Sequence, residues 1–239
     1  MYNLVMKMGI ITDVHSNVIA LETIIKKFNK EKCDKIICCG DLIGIGPYPE
    51  QTLQLIMSLP NLICVRGNHD HYQFRGIPDK ITESEKQHHL WTKSLLSKAS
   101  KEYLKELPQK LDFAVNGFSI SVLHYSIDSE NQYRFVNNPT ENDLQKMFSE
   151  VNGEIICYGH DHKRLVCQSD KKWYVNVGSC GCPECEKNIA RGGILTLDKG
   201  IVDLKFIDEV YDVDTVINEI KRLNYPASEE ILKYFYGVN

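Results

Sequence analysis

The fold is decided by the stretch IICCGD at residues 36–41, in which an apolar run ends in Gly40 and Asp41. The same pattern recurs as LICVRGNHD at residues 62–70 and as IICYGHDH at residues 155–162. Each stretch is typical of a buried strand followed by a glycine and by side chains that can bind a metal ion. Because ligands bind beyond the carboxyl ends of strands in open α/β sheets, the pattern predicts one polar site at these strand ends.

Outward from these strands, short Ile- and Val-rich runs alternate with amphipathic stretches, which is the pattern of an α/β protein. The first amphipathic stretch has Ser16 or Asn17 as its expected helix N-cap. The dipeptide at residues 116–117, Asn-Gly, separates two apolar runs and predicts a β-hairpin. Residues 213–236 are expected to form two helices broken at Pro226. Consecutive short strands in the second half indicate antiparallel pairing, and hence mixed sheets.

The composition disfavours several classes of protein. The chain has 239 residues with 43% hydrophobic and 25% charged side chains, as in ordinary globular proteins. Its net charge of −4 disfavours a duplex-binding module or a cationic membrane-surface protein. No run approaches the roughly 18 apolar residues of a membrane span, and Lys7 interrupts the position of a signal-peptide core.

The nine cysteines are odd in number, and several lie inside apolar runs, which favours reduced thiols in a reducing compartment. We therefore expect a cytoplasmic protein with no membrane partner and no stable nucleic-acid binding. Its oligomeric state does not follow from the sequence, because no heptad pattern or exposed apolar stripe stands out.

Seven potential metal ligands follow five predicted strands: Asp13, His15, Asp41, Asn68, His124, His160 and His162. Residues i and i+2 of an extended chain point the same way, so each Asp/His or His/His pair at this spacing can face one pocket. Mixed carboxylate and imidazole ligands suit zinc, iron or manganese better than calcium. Seven ligands are too many for one tetrahedral ion but suit two ions that share a carboxylate. Two ions roughly 3.5–4 Å apart are a known device for in-line displacement at phosphorus.

The ordered set of motifs resembles the calcineurin-like metallophosphoesterases. The motifs that carry the resemblance are Asp13-x-His15, Gly40-Asp41, Gly67-Asn68-His69, His124 and Gly159-His160-x-His162. The segments GIGPYP at 44–49, Trp91-Thr92 and NVGS at 176–179 are similar to those of small prokaryotic phosphodiesterases of the YfcE type. The resemblance implies a four-layer α-β-β-α sandwich, in which two mixed β-sheets are flanked by helices. It also implies one domain over residues 1–239, with a core at about 6–207 and a C-terminal helical extension at 208–239.

The same resemblance implies a role for each motif residue. Asp13, His15 and His162 would hold one divalent transition-metal ion, whether manganese, iron or zinc. Asn68, His124 and His160 would hold a second ion, and Asp41 would bridge both. His69 would donate a proton to the leaving group, and Asp70 would orient the His69 imidazole.

The expected function is that of a dinuclear metal-dependent phosphoesterase. Its expected substrates are small phosphodiesters or nucleotide-derived molecules such as dinucleoside polyphosphates, cleaved by in-line attack of a metal-activated hydroxide. The polar helical stretch at residues 84–107 is expected to cap the cleft.

Three alternatives stay open. The first is a phosphomonoesterase of the same fold. The second is a non-catalytic scaffold, disfavoured because all seven ligands and His69 are present. The third is a nuclease for long nucleic acid, disfavoured because the chain shows no basic groove interleaved with aromatic residues.

Several reactive residues lie outside these assignments. Cys180, Cys182 and Cys185 could bind zinc or act as a thiol pair, but three sulfurs leave a tetrahedral site one ligand short. We interpret them as a reduced surface loop. Asp161 is expected either to support the metal ligands or to be exposed. His71, His88 and His89 are expected to be exposed or capping, with His71 the best placed to line the cleft.

Overall fold

The computed structural model describes residues 5–77, 81–127, 136–182 and 187–238. Within these residues the strands are β1 (Met6–Ile11), β2 (Lys35–Cys38), β3 (Leu62–Cys64), β4 (Lys110–Val115), β5 (Phe118–Leu123), β6 (Ile155–Tyr158), β7 (Arg164–Ser169), β8 (Lys172–Val177), β9 (Ile189–Asp198) and β10 (Ile201–Val210). The helices are α1 (Val18–Lys30), α2 (Pro49–Ser58), α3 (Asn68–Arg75), α4 (Glu83–Leu95), α5 (Lys98–Glu106), α6 (Glu141–Met147), α7 (Val213–Leu223) and α8 (Ser228–Tyr236).

The strands form two mixed five-stranded sheets. The first sheet has the order β10-β9-β1-β2-β3, and the second has the order β4-β5-β6-β8-β7. In the first sheet β1, β2 and β3 are parallel, and in the second β5, β6 and β8 are parallel. Their carboxyl ends therefore meet at one edge of each sheet, which is where the predicted metal ligands follow.

The two sheets pack face to face across a buried apolar layer. The side chains of this layer alternate along each strand, as a pleated sheet requires. They include Met8 and Ile10 of β1, and Val122 of β5 and Cys157 of β6 on the opposing sheet. Since this layer lies directly beneath the strand ends, it holds the two sheets, and the loops that leave them, in a fixed relation.

Helices cover the outer faces of both sheets. The five helices α1, α2, α5, α7 and α8 contribute apolar side chains to one cluster against the first sheet, and α6 packs on the second. Gly9 makes room for α1, because a Cβ atom there would overlap the ring of Phe28. The layers are helix, sheet, sheet and helix, which confirms the predicted fold class.

The local predictions are also confirmed. Asn17 caps α1 by accepting a hydrogen bond from the backbone N–H of Ala20. The strands on either side of residues 116–117 pair as an antiparallel hairpin. The C-terminal segment forms α7 and α8, with Pro226 between them. Among the described residues, no helix combines the length and the apolar character needed to cross a membrane.

Candidate metal centre

The seven predicted ligands converge at the ends of β1, β2, β3, β5 and β6. The loops that carry them are hydrogen-bonded to one another through the backbone. The N–H of Asp13 donates to the carbonyl of Gly40 at 3.0 Å, and that of His15 donates to the carbonyl of Asp41 at 3.0 Å. These bonds fix the first two loops in register, so that their side chains point at a common centre.

The first ligand group consists of Asp13, His15 and His162. One ligand atom from each lies within 4.8 Å of the others. The Nε2 atoms of His15 and His162 are 2.9 Å apart, and Oδ1 of Asp13 lies 3.7 and 3.6 Å from them. Two imidazole nitrogens and one carboxylate oxygen thus face the same small volume.

The second ligand group consists of Asp41, Asn68, His124 and His160. Oδ1 of Asn68 lies 3.1 Å from Nε2 of His124 and 3.1 Å from Nδ1 of His160. Oδ2 of Asp41 lies 3.2 Å from Nε2 of His124. His160 therefore presents Nδ1 to the centre, whereas the other three histidine ligands present Nε2.

Asp41 lies between the two groups. Its Oδ2 atom is 3.9 Å from Nε2 of His15 and 3.2 Å from Nε2 of His124. The other carboxylate oxygen, Oδ1, accepts a hydrogen bond from the backbone N–H of His69 at 2.9 Å. One carboxylate is thus held by the backbone while facing ligands of both groups.

The backbone of the ligand loops is unusual. Positive φ angles occur at five ligands: Asp13, His15, Asp41, His160 and His162. Such conformations are uncommon for residues with a Cβ and persist where the surrounding structure holds them, chiefly at functional sites. Gly67 and Gly159 allow the neighbouring loops to approach closely. A Cβ atom would overlap Asp41 at residue 67 and Thr12 at residue 159.

Contacts behind the ligands fix their orientation. Nδ1 of His124 bonds the carbonyl oxygen of Cys39 at 2.8 Å, and Nδ1 of His162 bonds that of Cys182 at 3.0 Å. A carbonyl only accepts, so each Nδ1 donates, and Nε2 is the ring atom left to bind an ion at the centre. The hydroxyl of Thr12 donates to Oδ2 of Asp13 at 2.7 Å.

The donor set fits divalent metal ions. Asp13 and Asp41 are 0% and 2% exposed, and the charge partners found for them among the described residues are histidines. Burial lowers the pKa of His160 to about 3 and, with repulsion from His162, holds the pKa of His15 well below its usual range. Burial alone would lower the pKa of His124, but Asp41 outweighs it and raises the value to about 10. His15 and His160 are therefore neutral at neutral pH, and His124 would give up its Nε2 proton on binding an ion, because a ligating imidazole nitrogen must be deprotonated. Buried carboxylates beside imidazoles are suitable ligands for such ions.

His69 and Asp70 lie beside this centre at the start of α3. Nε2 of His69 is 4.0 Å from Oδ2 of Asp41, and its buried Nδ1 has no hydrogen-bond partner among the described residues. The carboxylate of Asp70 accepts backbone N–H bonds from Leu42, Ile43 and Gly67 at 3.0, 3.3 and 2.9 Å. Burial and the nearby Asp41 raise the pKa of Asp70 to about 7.

The geometry therefore corrects the expectation that Asp70 orients the His69 imidazole. No hydrogen bond joins Asp70 to the ring of His69 in the part of the chain that the structure describes. Asp70 instead ties the loop after β2 to the loop after β3, and so supports the position of Asp41.

The remaining candidates divide into three cases. His71 is half-buried and lines a cleft, as expected, but His88 and His89 line a second cavity beside the centre. Asp161 is partly buried and accepts a hydrogen bond from Asn176 at 2.5 Å, and burial together with Asp13 raises its pKa to about 6.

The expectation that the three cysteines form a surface loop is wrong for Cys180 and Cys182, which are buried. Cys185 lies outside the described residues. Burial raises the pKa of the Cys182 thiol to about 12, so it is neutral and inert.

Sequence reasoning also missed the burial of His88 and His89, which are 3% and 1% exposed. Nε2 of His88 accepts a hydrogen bond from the backbone N–H of Ile45 at 2.8 Å. The ring of His89 lies 5.1 Å from that of His69. The available signal was Thr92, which follows His88 and His89 by one helical turn and is buried on the same face.

Two clefts adjoin the centre. The first, about 290 Å³, is lined by Arg66, His71, Lys110, His124 and neighbouring residues, and we call it the His124 cleft. The second, about 570 Å³, lies between α4 and α8 and includes His69 and His162 in its wall, and we call it the α4–α8 cavity. The helical stretch at 84–107 thus contributes one wall of a cavity beside the centre, as expected.

Comparisons with known proteins match this architecture. Residues 6–200 match the family model of the calcineurin-like phosphoesterase superfamily domain. The chain is 23% identical over 238 residues to uncharacterized protein MJ0912 of Methanocaldococcus jannaschii, covering 91% of this chain and 93% of that protein. It is 25% identical over 178 residues to phosphodiesterase MJ0936 of the same organism, covering 73% and 84%.

Solved structures show the same fold. A metallophosphoesterase from Sphaerobacter thermophilus has a TM-score of 0.76 at 21% identity, covering 98% of this chain and 99% of that one. Hypothetical protein PH1004 from Pyrococcus horikoshii has a TM-score of 0.81 at 20% identity, covering 95% and 96%. The four-layer arrangement is therefore shared over nearly the whole length of each chain.

Proposed function

Because the chain belongs to the calcineurin-like phosphoesterase superfamily, we propose that it is a dinuclear metal-dependent phosphodiesterase. Membership makes it a phosphoester hydrolase and implies divalent metal cofactors. The observation that supports two ions is the position of Asp41, whose Oδ2 faces His15 of one ligand group and His124 of the other.

The ligand groups divide the seven residues between two ions. Asp13, His15 and His162 would hold the first ion, and Asn68, His124 and His160 the second, with Asp41 shared. Manganese, iron and zinc all match this mixed donor set. Bound ions would acidify water and neutralise the phosphate oxygens.

The side chains of the protein supply the remaining chemistry. In an in-line displacement the oxygen of water forms a bond to phosphorus while the bond to the opposite ester oxygen breaks. His69 lies at the edge of the centre, with its side chain 18% exposed, and would give its proton to the departing oxygen. A positioned acid of this kind typically contributes 10²–10⁴-fold.

Phosphodiesters are the substrates that we favour. Two clefts border the centre, one lined by His124 and the other by His69 and His162. A diester has two substituents on phosphorus, and each cleft can receive one of them. Small phosphodiesters and nucleotide-derived molecules such as dinucleoside polyphosphates fit this description, and we propose that the enzyme acts on them in the cytoplasm.

Hydrolysis of bis-p-nitrophenyl phosphate tests the proposal. Chelator-treated protein should be inactive, and activity should return when manganese is added. The monoester p-nitrophenyl phosphate, assayed in parallel, distinguishes the phosphomonoesterase alternative. Folded protein that binds two manganese ions and hydrolyses neither compound would favour the scaffold alternative.

Metal content tests the assignment of ligands. We expect two manganese ions per wild-type chain and one after His124→Ala, because the first ligand group stays complete. Asp41→Asn should weaken both sites, since it removes the shared charge. Loss of both ions from His124→Ala with retention of both by Asp41→Asn would contradict the division.

A further inference from the structure

The α4–α8 cavity has the size of a ligand site and shares its wall with the metal centre. Its volume of about 570 Å³ lies within the 300–1,000 Å³ typical of small-molecule pockets. His69 and His162 line it. A molecule bound there would therefore lie beside the proposed proton donor.

The walls of the cavity favour a flat apolar group. Tyr234 lies at the cavity with 66% of its surface exposed. The ring of Phe235 is 6.2 Å from that of His162, so aromatic surface reaches as far as the metal centre. Ile45 and Ile231 add aliphatic surface. Aromatic side chains bind planar rings by stacking.

The polar groups of the cavity favour hydrogen-bond donors and disfavour anions. Glu85 and Glu230 place two carboxylates in its lining. His89, only 1% exposed, also lines it, and its Nε2 atom lies 4.0 Å from Oε1 of Glu85. The described lining residues include no lysine or arginine. Carboxylates accept hydrogen bonds, and without a cation beside them in the lining they repel anionic groups.

The His124 cleft has the opposite character. Arg66 and Lys110 line it together with His71, against a single carboxylate, that of Glu150. An additional phosphate would therefore be more stable on that side of the centre than in the α4–α8 cavity.

We propose that the α4–α8 cavity binds the leaving group of the phosphodiester, and that this group is a flat aromatic molecule with N–H donors and no second phosphate, as a purine nucleoside is. The inference rests on the proposed function, because it takes His69 as the acid for the leaving oxygen. The ester P–O bond on the cavity side breaks, its electron pair stays on the leaving oxygen, and His69 protonates that oxygen. The oxygen of water bonds to phosphorus and its proton passes to solvent, from which His69 regains a proton. The inference narrows the expected substrates to nucleoside diesters. It disfavours dinucleoside polyphosphates, because their leaving group is itself charged.

Binding of adenosine by isothermal titration calorimetry tests the inference without requiring turnover. Purine riboside, which lacks the amino group, is the matched ligand. Adenosine should bind roughly tenfold more tightly, the usual effect of one hydrogen bond to a charged acceptor. Equal affinities, or no binding of adenosine, would overturn the inference.

Matched variants locate the ligand. Glu230→Gln should reduce the preference for adenosine, while Glu229→Gln, which changes the adjacent exposed carboxylate outside the cavity, should preserve it. Tyr234→Ala should weaken adenosine binding by about three- to tenfold through lost stacking, and Leu90→Ala, an exposed position on α4, should not. Equal effects of Glu230→Gln and Glu229→Gln would place adenosine elsewhere and overturn the inference.

The two proposals fail separately. Manganese-dependent hydrolysis of bis-p-nitrophenyl phosphate by a protein that does not bind adenosine would refute the cavity assignment alone. Adenosine binding that depends on Glu230 and Tyr234, in a manganese-loaded protein that hydrolyses no diester, would support the cavity and refute the proposed function.

Discussion

The backbone N–H of Ile45 donates to Nε2 of His88 at 2.8 Å, across 43 residues of sequence. The carbonyl of Ile45 accepts a hydrogen bond from the hydroxyl of Tyr225 at 2.7 Å. Ile45 has a φ of 62°, so this clamp holds a backbone conformation that isoleucine rarely adopts. The neighbouring Gly44 lies against His69, because a Cβ there would be 2.6 Å from Nδ1 of that residue. Helix α4 thus supports the metal centre through the loop that follows β2.

The clamp predicts a dependence of stability on pH. His88 must be neutral to accept the Ile45 N–H, and burial, with repulsion from His69, lowers its pKa from 6.5 to about 4. The unfolded chain therefore binds more protons between these two pH values. The contribution of His88 is full above pH 6.5 and is lost as the pH falls toward 4, by up to about 3 kcal/mol.

Chemical denaturation of wild type and His88→Gln, repeated at several pH values, measures this contribution. The difference in unfolding free energy between the two proteins should shrink as the pH is lowered from 6.5 to 4. The contributions of titratable groups that both proteins contain cancel in that difference. A difference that stays constant over this range would show that His88 does not titrate as described.

His69→Asn should lower turnover by about 10²- to 10⁴-fold and leave metal content near that of wild type. The loss should be greater for alkyl esters than for p-nitrophenyl esters, because a poor leaving group needs the proton more. Steady-state kinetics on both kinds of ester, with metal analysis of the same samples, measures this. Undiminished activity on the alkyl ester would mean that His69 is not the acid.

Asp70→Asn should reduce the free energy of unfolding by about 1–3 kcal/mol, because the amide cannot accept all three backbone N–H bonds that the carboxylate accepts. Turnover should fall less than in His69→Asn, since Asp70 makes no hydrogen bond to the ring of His69. Urea denaturation and steady-state kinetics on the same preparation measure the two effects, on stability and on turnover. Unchanged stability with a loss of turnover equal to that of His69→Asn would restore an orienting role.

Gly67→Ala should abolish metal binding, because its Cβ would overlap the Asp41 carboxylate. Gly200→Ala is the control, since a Cβ there meets open space and the positive φ of 84° costs only backbone strain, about 1 kcal/mol. Metal analysis and thermal denaturation compare the two variants. Full metal content in folded Gly67→Ala protein would show that the loop after β3 can shift to accommodate the Cβ atom without displacing Asp41.

The sequence predicts the strands and their terminal ligands because both signals are local. An apolar run followed by glycine and a potential ligand can be recognised from a few consecutive residues. Five such strand ends in one chain support one another, because together they predict a single site. The role of Asp70 cannot be predicted from such a local pattern. Adjacency to His69 suggests contact, yet both residues lie on α3, where side chains at i and i+1 point apart.

Burial of the outer histidines and cysteines depends on distant parts of the chain. His88 stacks on Trp91 and packs near Tyr225, and a polar α4 sequence gives no sign of these partners. The N–H of Cys180 donates to the carbonyl of Thr12 at 2.9 Å, which draws that loop beneath the metal ligands. Helical periodicity places His88, His89 and Thr92 on one face of α4, but it does not show which distant residues cover that face.

The matched family region ends at residue 200, whereas the helix that forms one wall of the α4–α8 cavity spans Ser228–Tyr236. One wall of the proposed substrate site would thus be encoded outside the family region, while α4, His69 and His162 of the same site lie within it. Mutations in the C-terminal helix can then alter which molecule is cleaved while the seven ligands stay the same. A comparison of the C-terminal helices of relatives that keep all seven ligands would therefore show whether substrate choice varies with that helix.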